Sequence, residues 1–207
     1  MNKDRTPQPT QSQTHTLFTK NNVITTKNYT LYLNEIQNTD NKIHNVYNSL
    51  RSADKDDTLT LRISSPGGFV TECQNIVNIM RNVFYKRTTS YIDSHASSAG
   101  AIIFLAADKR VIYKNSRIMI HNYSGAYFGT YKKMKTRINF DEKHVIGFLK
   151  SIINPRKKGF LSKSEFKEMI DGKEFWFRAD EMLRRKIATH IVINGEELTA
   201  KEYLKGK

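Results

Sequence analysis

Two adjacent serines stand in the stretch ASSAG, residues 96–100, directly before an apolar run. A serine at a sharp turn from a strand into a helix has an exposed hydroxyl, and the helix N-terminus favours negative charge that develops beside it. The stretch matches the G-x-S-x-G pattern of such nucleophile turns only loosely, because Ala96 replaces the first glycine. Taken alone, the pair is more typical of a helix cap formed by Ser97 or Ser98.

Two further segments contain residue types that nucleophilic catalysis uses. The stretch SPGG, residues 65–68, follows an apolar strand pattern, and its glycine N–H groups suit either an oxyanion hole or a plain tight turn. The stretch IMIH, residues 118–121, ends a second apolar pattern in a histidine. A serine, a histidine and backbone donors in one place would perform acyl transfer.

The elements that must position these residues follow from hydrophobic periodicity, which predicts alternating strands and helices. Strand patterns cover residues 29–33, 58–64, 88–93, 110–114, 117–121, 175–177 and 189–193. Helix patterns cover residues 40–53, 70–84, 98–107, 130–153, 162–170 and 179–187. Such alternation favours a largely parallel sheet whose ligands bind beyond the carboxyl ends of its strands. The SPGG and ASSAG segments both follow predicted strands at such ends.

Composition limits the class of protein. The 207 residues fit a polar segment over residues 1–20, expected to be flexible, and one domain over residues 21–207. A single cysteine, Cys73, and the lack of an apolar leader or membrane-length stretch favour a reducing cytoplasm without membrane attachment. The net charge of +14 is scattered, without a recognition helix or RNA-binding signature, so a nucleic-acid partner is not expected.

These segments, in this order, resemble the proteolytic subunit of the Clp protease, a serine peptidase of the crotonase-like superfamily. The stretch LRISSPGG is similar to that family's strand and Gly-Gly loop, and SHASSAGAIIFLAADKRVIYKNSRIMIH is similar to its nucleophile block with the following histidine. The resemblance implies an α/β, ClpP-like fold of repeated ββα units with a protruding handle helix at about residues 125–160. A phage-encoded, divergent member of the family is compatible with the Asn- and Lys-rich composition.

The resemblance also assigns catalytic roles residue by residue. The family nucleophile directly precedes x-Gly-Ala, which selects Ser98 and leaves Ser97 one position early. The family base corresponds to His121, and the oxyanion donors correspond to the N–H groups of Gly68 and Ala99. The resemblance implies that the histidine takes the serine proton during attack and returns it to the leaving amine.

The third member of the triad is where the sequence departs from the family. The family has an aspartate two residues before an aromatic and apolar pair, and that register places Glu174 at the position. Asp171, three residues earlier in DGKE, is the rival candidate. Lys186 stands where the family usually has glycine, and Tyr123 stands where it usually has proline.

Substrate binding and assembly are further implications of the resemblance. Gly125 on one side of a groove, with Gly67 and Val70 opposite, would pair with an extended substrate backbone. The implied substrates are unfolded polypeptides, and the implied assembly is a homo-oligomer of stacked heptameric rings joined by the handle helix. An AAA+ ATPase unfoldase would be a separate partner, since the chain contains no G-x-x-x-x-G-K-[ST] loop. No metal or cofactor is implied.

Four alternatives remain open at the level of sequence. One is a phage capsid or scaffold maturation protease of the same fold. A second is a catalytically weak crotonase-like binding protein or acyl-CoA enzyme, which would need the Gly-Gly loop but not Ser98 with His121. A third is an α/β-hydrolase with the order Ser98, Asp171 and His190. The fourth is an inactive assembly subunit or nucleic-acid-binding subunit.

Overall fold

A computed structural model describes residues 9–19, 22–36, 42–153 and 160–206. The strands in these ranges are β1 (Pro9–Thr19), β2 (Asn22–Leu33), β3 (Thr58–Ser65), β4 (Thr88–Ser97), β5 (Lys109–Tyr113), β6 (Arg117–Ile120), β7 (Phe175–Arg178), β8 (His190–Ile193) and β9 (Glu196–Thr199). The helices are α1 (Lys42–Arg51), α2 (Val70–Asn82), α3 (Ala99–Ala106), α4 (Tyr131–Ile153), α5 (Lys163–Ile170), α6 (Ala179–Arg184) and α7 (Ala200–Lys205).

The sheet is mostly parallel, which confirms the predicted α/β class. Its main path runs β1-β2-β3-β4-β5-β8-β9, and β6 branches from β4 and pairs with β7. Strands β2, β3, β4, β5 and β8 pair in parallel, whereas β1 and β9 add antiparallel edges. Parallel strands connected by helices agree with the Clp-protease-like fold that the motifs predicted.

Strand β4 changes partners along its length, and this change creates the branch. Residues 89–92 of β4 pair with β5, and residues 95–97 pair with β6. The pairing of β4 with β3 also shifts register between Ile63 and Ser65. The sequence predicted that this strand would end at residue 93. The polar residues that follow do not show a strand pattern, although residues 95–97 are extended and pair with β6.

The first strand lies in the segment, residues 1–20, that the sequence predicts to be flexible. Pro9–Thr19 pairs with β2, and the flexibility of the segment stays a prediction. Two causes are visible: the segment is rich in threonine, which favours strands, and β2 extends beyond its pairing with β3, which begins at Asn28. Residues 1–8 and 20 lie outside the described residues.

The helices pack their apolar sides against the sheet, and α3 lies at the centre of the core. Its residues from Ala99 to Leu105 are all buried, as expected for a helix that is apolar on every side. Strand β9 and helix α7 were not predicted. In the described ranges, none of the helices combines the length and the apolarity that a membrane span requires.

A backbone bridge fixes the loop after β3. The Ile36 N–H donates to the Gly67 carbonyl oxygen (3.1 Å), and the Phe69 N–H donates to the Ile36 carbonyl oxygen (2.7 Å). Gly68, between them, has φ +154°, and a Cβ built there would lie 1.9 Å from the Ile36 carbonyl oxygen. Glycine is therefore required at this position both by conformation and by close backbone approach.

We predict opposite effects of alanine at two glycines. Gly68→Ala should lower the free energy of unfolding by about 2–4 kcal/mol, because the methyl group collides with backbone. Gly147→Ala should raise it by about 0.5–1 kcal/mol, because Gly147 lies within α4 with open space around its Cβ position. Urea denaturation measures both, and equal effects would contradict the role given to the bridge.

A buried polar pair joins α1 to α2. The Tyr47 hydroxyl donates to Glu72 Oε2, and both residues are almost fully buried. Burial raises the pKa of Tyr47, and the hydrogen bond to Glu72 raises it further. Removal of the hydroxyl would leave a buried carboxylate without this donor, which is costly.

We predict that Tyr47→Phe lowers the free energy of unfolding by about 1–3 kcal/mol at neutral pH. Because the folded-state pKa of Tyr47 is raised, its contribution is fully present below the unfolded pKa of about 10 and is lost as pH rises above that value. The variant should therefore lose stability less steeply in alkali than the unmodified protein. Tyr85→Phe, at a tyrosine that is 65% exposed, is the control.

Candidate active site

Ser98 occupies the turn between β4 and α3 in an unusual backbone conformation. Its φ and ψ are +53° and −122°, a positive-φ conformation that non-glycine residues rarely adopt. Its N–H donates to the Met119 carbonyl oxygen of β6 (3.0 Å), which anchors the turn. The hydroxyl makes no capping hydrogen bond, so the alternative of a simple helix cap is wrong for this serine. Strain of this kind is typical of functional sites.

The two serines differ in position. Ser97 is the last residue of β4, pairs with Met119 and is only 6% exposed. Ser98 lines a cleft whose wall also includes Gly68 and Ala99. The structure therefore directs Ser98, and not Ser97, towards the cleft.

The Gly-Gly loop packs directly against Ser98. A Cβ built on Gly67 would lie 2.7 Å from Ser98 Cβ and 3.2 Å from Ser98 Oγ. The loop is held by the Gly67 N–H, which donates to Ser65 Oγ (3.1 Å). Any side chain at Gly67 would therefore displace Ser98. The SPGG loop can contact the ASSAG turn only because residue 67 is glycine.

Two backbone donors at the cleft are free within the described part of the chain. Ala99 is the first residue of α3, where N–H groups have no acceptor within the helix. The bridge to Ile36 uses the groups on either side of the Gly68 N–H and leaves that N–H without an acceptor among the described residues. Gly68 and Ala99 both line the cleft with Ser98, so their N–H groups are the candidates for an oxyanion hole.

His121 follows β6 at the same edge of the sheet. Because β4 and β6 run parallel with Ser97 opposite Met119, the residues that follow them emerge side by side. His121 is half-buried and lines the cleft. Its Nε2 atom is buried, and no described residue forms a hydrogen bond with it. A base without its partners in the absence of substrate is compatible with a catalytic role, because such bonds often tighten only on binding.

The two candidate acids lie in different places. Strand β7 pairs antiparallel with β6, and Ile120 opposes Phe175, so the next pair in this register is His121 with Glu174. The Glu174 carboxylate nevertheless accepts the indole N–H of Trp176 (Oε2 to Nε1, 3.0 Å). Asp171 caps the C-terminus of α5 through its backbone and is exposed. The strand register thus favours Glu174, although neither carboxylate forms a hydrogen bond with His121.

An apolar wall of the cleft was missed by sequence reasoning. Helices α2, α3 and α4 contribute its side chains: Val70, Cys73, Ile102, Val145, Phe148 and Leu149. Burial raises the pKa of Cys73 to about 12, so its thiol stays neutral and serves as apolar lining. The buried faces of helices that begin at the two loops were the available signal.

The other residues predicted for the site are divided between the cleft wall and positions outside it. Val70 lines the cleft, but Gly125 is exposed and does not, whereas Tyr123 and Ser124 do. His190 lies in β8, contacts Thr189 and is absent from the cleft wall, which removes support for the α/β-hydrolase alternative. Within the described ranges, no cluster of His, Cys, Asp or Glu could hold a metal ion.

The arrangement of serine, histidine and backbone donors can be compared with known proteins. A family model described as Clp protease, a family of peptidases, matches residues 12–193. This span is most of the chain, and it includes both loops, the strand that changes partners and the candidate acid. The chain belongs to the Clp protease family.

Proposed function

We propose that this protein is a serine endopeptidase that cleaves unfolded polypeptides through an acyl-enzyme on Ser98. The observation that carries the proposal is the positive-φ turn at Ser98, which faces a cleft shared with His121 and two free N–H groups. An acyl-CoA enzyme on this fold would need the Gly-Gly loop alone. The joint placement of the serine and the histidine favours the peptidase.

In the proposed mechanism, His121 Nε2 accepts the Ser98 hydroxyl proton while Oγ attacks the peptide carbonyl carbon. The carbonyl π electrons move to oxygen, and the N–H groups of Gly68 and Ala99 stabilise the resulting oxyanion. As the tetrahedral intermediate collapses, the C–N bond breaks and the histidine protonates the leaving amine. A water molecule then gives a proton to His121 and attacks the ester carbonyl carbon. The C–Oγ bond breaks, the histidine returns the proton to Ser98 Oγ, and the acid product leaves.

The cleft suggests what the enzyme accepts. The apolar wall suits an apolar side chain next to the cleaved bond, while Val70 and the segment around Tyr123 flank the position of the substrate backbone. Backbone pairing of this kind recognises extended chains without strong sequence preference. Unfolded polypeptides in a reducing cytoplasm are therefore the proposed substrates.

The exposed apolar residues of helix α4 are the reason to propose an oligomer. Its buried residues, Val145, Leu149, Ile152 and Ile153, all lie in its C-terminal half. The N-terminal half is exposed, including Tyr131 (71%), Ile138 (41%) and Phe140 (69%). Apolar side chains on a protruding helix favour contact with another subunit. We propose stacked heptameric rings, with an AAA+ ATPase unfoldase as a separate partner.

The nucleophile assignment predicts a specific labelling pattern. A fluorophosphonate probe should label the unmodified protein and Ser97→Ala but not Ser98→Ala. His121→Gln should slow labelling by about 10²–10⁴-fold, since it removes the general base. In-gel fluorescence measures the rates, and labelling that persists in Ser98→Ala would contradict the assignment.

The assembly proposal predicts a change in mass. The double variant Ile138→Glu with Phe140→Glu should sediment as smaller particles than the unmodified protein, because charge replaces the apolar contact. The matched control, Thr136→Glu with Asn139→Glu, adds the same charge at exposed polar positions of the same helix and should keep the larger mass. Sedimentation velocity measures both, and equal masses would refute the role of this helix face.

A further inference from the structure

The β6–β7 pair places a tryptophan beside the candidate triad. Side chains in this pair alternate: Ile118, Ile120, Phe175 and Phe177 are buried on the core side. Met119 and Trp176 form an opposed pair on the other side. The printed pairing ends at Ile120 with Phe175, and the same alternation, extended by one residue, assigns His121 and Glu174 to the side of Trp176. Trp176 is 54% exposed, so packing in the core does not account for its indole.

The hydrogen bonds on this side are distributed unevenly. The indole N–H of Trp176 donates to Glu174 Oε2 at 3.0 Å. Across the strand pair, no described residue forms a hydrogen bond with His121. Nε2 is the nitrogen that accepts the Ser98 proton in the proposed mechanism, so the carboxylate would engage the other ring nitrogen, Nδ1. The Glu174 carboxylate is thus a candidate acceptor for two N–H groups, the Trp176 indole and the His121 imidazole, and it bonds only to the indole.

We infer that Trp176 is a positioning residue that holds the Glu174 carboxylate away from His121, so that the resting site is a Ser98–His121 dyad. The inference rests on the proposed function. A carboxylate held by the indole cannot orient the imidazole or stabilise the imidazolium that forms during attack. The hydrogen bond lies at the surface and is therefore readily exchanged. Transfer of Glu174 from the indole to the imidazole completes the triad.

The longer stem of glutamate is what makes this exchange feasible. Glu174 directly precedes β7 and lies two residues before Trp176, and its flexible side chain reaches the indole. Rotation of the same side chain turns it across the strand pair towards His121. Asp171 is not part of this pair, because it lies at the end of α5 before β7 begins.

The first test uses labelling rates in a double-variant cycle. Trp176→Phe keeps an aromatic ring and removes the N–H, so fluorophosphonate labelling of Ser98 should be about three- to tenfold faster at saturating probe, the factor that one such hydrogen bond corresponds to. Glu174→Gln should be slower than the unmodified protein. The double variant should match Glu174→Gln. A gain from Trp176→Phe that persists with glutamine, or no gain at all, overturns the inference.

The second test does not depend on activity. Trp176 is the one tryptophan of the chain, so the protein gives a single indole N–H signal in a ¹H–¹⁵N NMR spectrum. Glu174→Ala should move that signal upfield by removing its acceptor, whereas Glu168→Ala, at a nearby exposed glutamate bound to Lys173, should not. An indole signal insensitive to Glu174→Ala overturns the inference even if Trp176→Phe fails to fold.

A third readout separates failure of this inference from failure of the proposed function. In Trp176→Phe, the freed carboxylate should produce a downfield imidazole N–H proton signal that is absent from the double variant. If Ser98 is never labelled but this signal appears, the proposed function fails and the contact stands. If Ser98 is labelled normally and the signal does not appear, the role of Trp176 is refuted.

Discussion

The geometry of the candidate active site depends on the exchange of partners along β4. If β4 paired with β5 over its whole length, Ser98 would not lie beside the end of β6. Pairing of residues 95–97 with β6, completed by the hydrogen bond from the Ser98 N–H to the Met119 carbonyl oxygen, brings the serine and His121 to one edge. The same β6 strand pairs with β7 on its other side and so brings Glu174 into register.

Glycines provide the second constraint, because the loop after β3 must approach two backbones at once. Gly68 lies against Ile36, and Gly67 lies against Ser98. The bridge to Ile36 uses the neighbouring hydrogen-bonding groups and leaves the Gly68 N–H available at the cleft. The two hydrogen bonds that fix the loop involve Gly67 and Phe69, and the Gly68 N–H between them is left without an acceptor among the described residues.

The sequence predicted the fold class, and it pointed to the serine, the histidine and the two loops that line one cleft, because each rests on local patterns or on contiguous motifs. The catalytic roles of these residues stay predictions. It did not predict that β4 continues to Ser97, since a polar stretch becomes a strand only when β6 supplies its partner. It also did not predict the pairing of Pro9–Thr19 with a long β2. The proposed competition of Trp176 and His121 for Glu174 depends on the β6–β7 register, which no single segment encodes. Lys186 adopts φ +60°, a conformation that favours glycine, which is the residue that the family usually has at this position.

In the proposed reaction, Ser98 Oγ attacks while the N–H groups of Gly68 and Ala99 stabilise the oxyanion. The most direct test is a crystal structure of the protein after reaction with a fluorophosphonate. We expect a covalent bond between phosphorus and Ser98 Oγ, with the phosphoryl oxygen about 2.7–3.1 Å from both the Gly68 and Ala99 nitrogens. Phosphorus on any other side chain, or a phosphoryl oxygen directed away from both nitrogens, would contradict it.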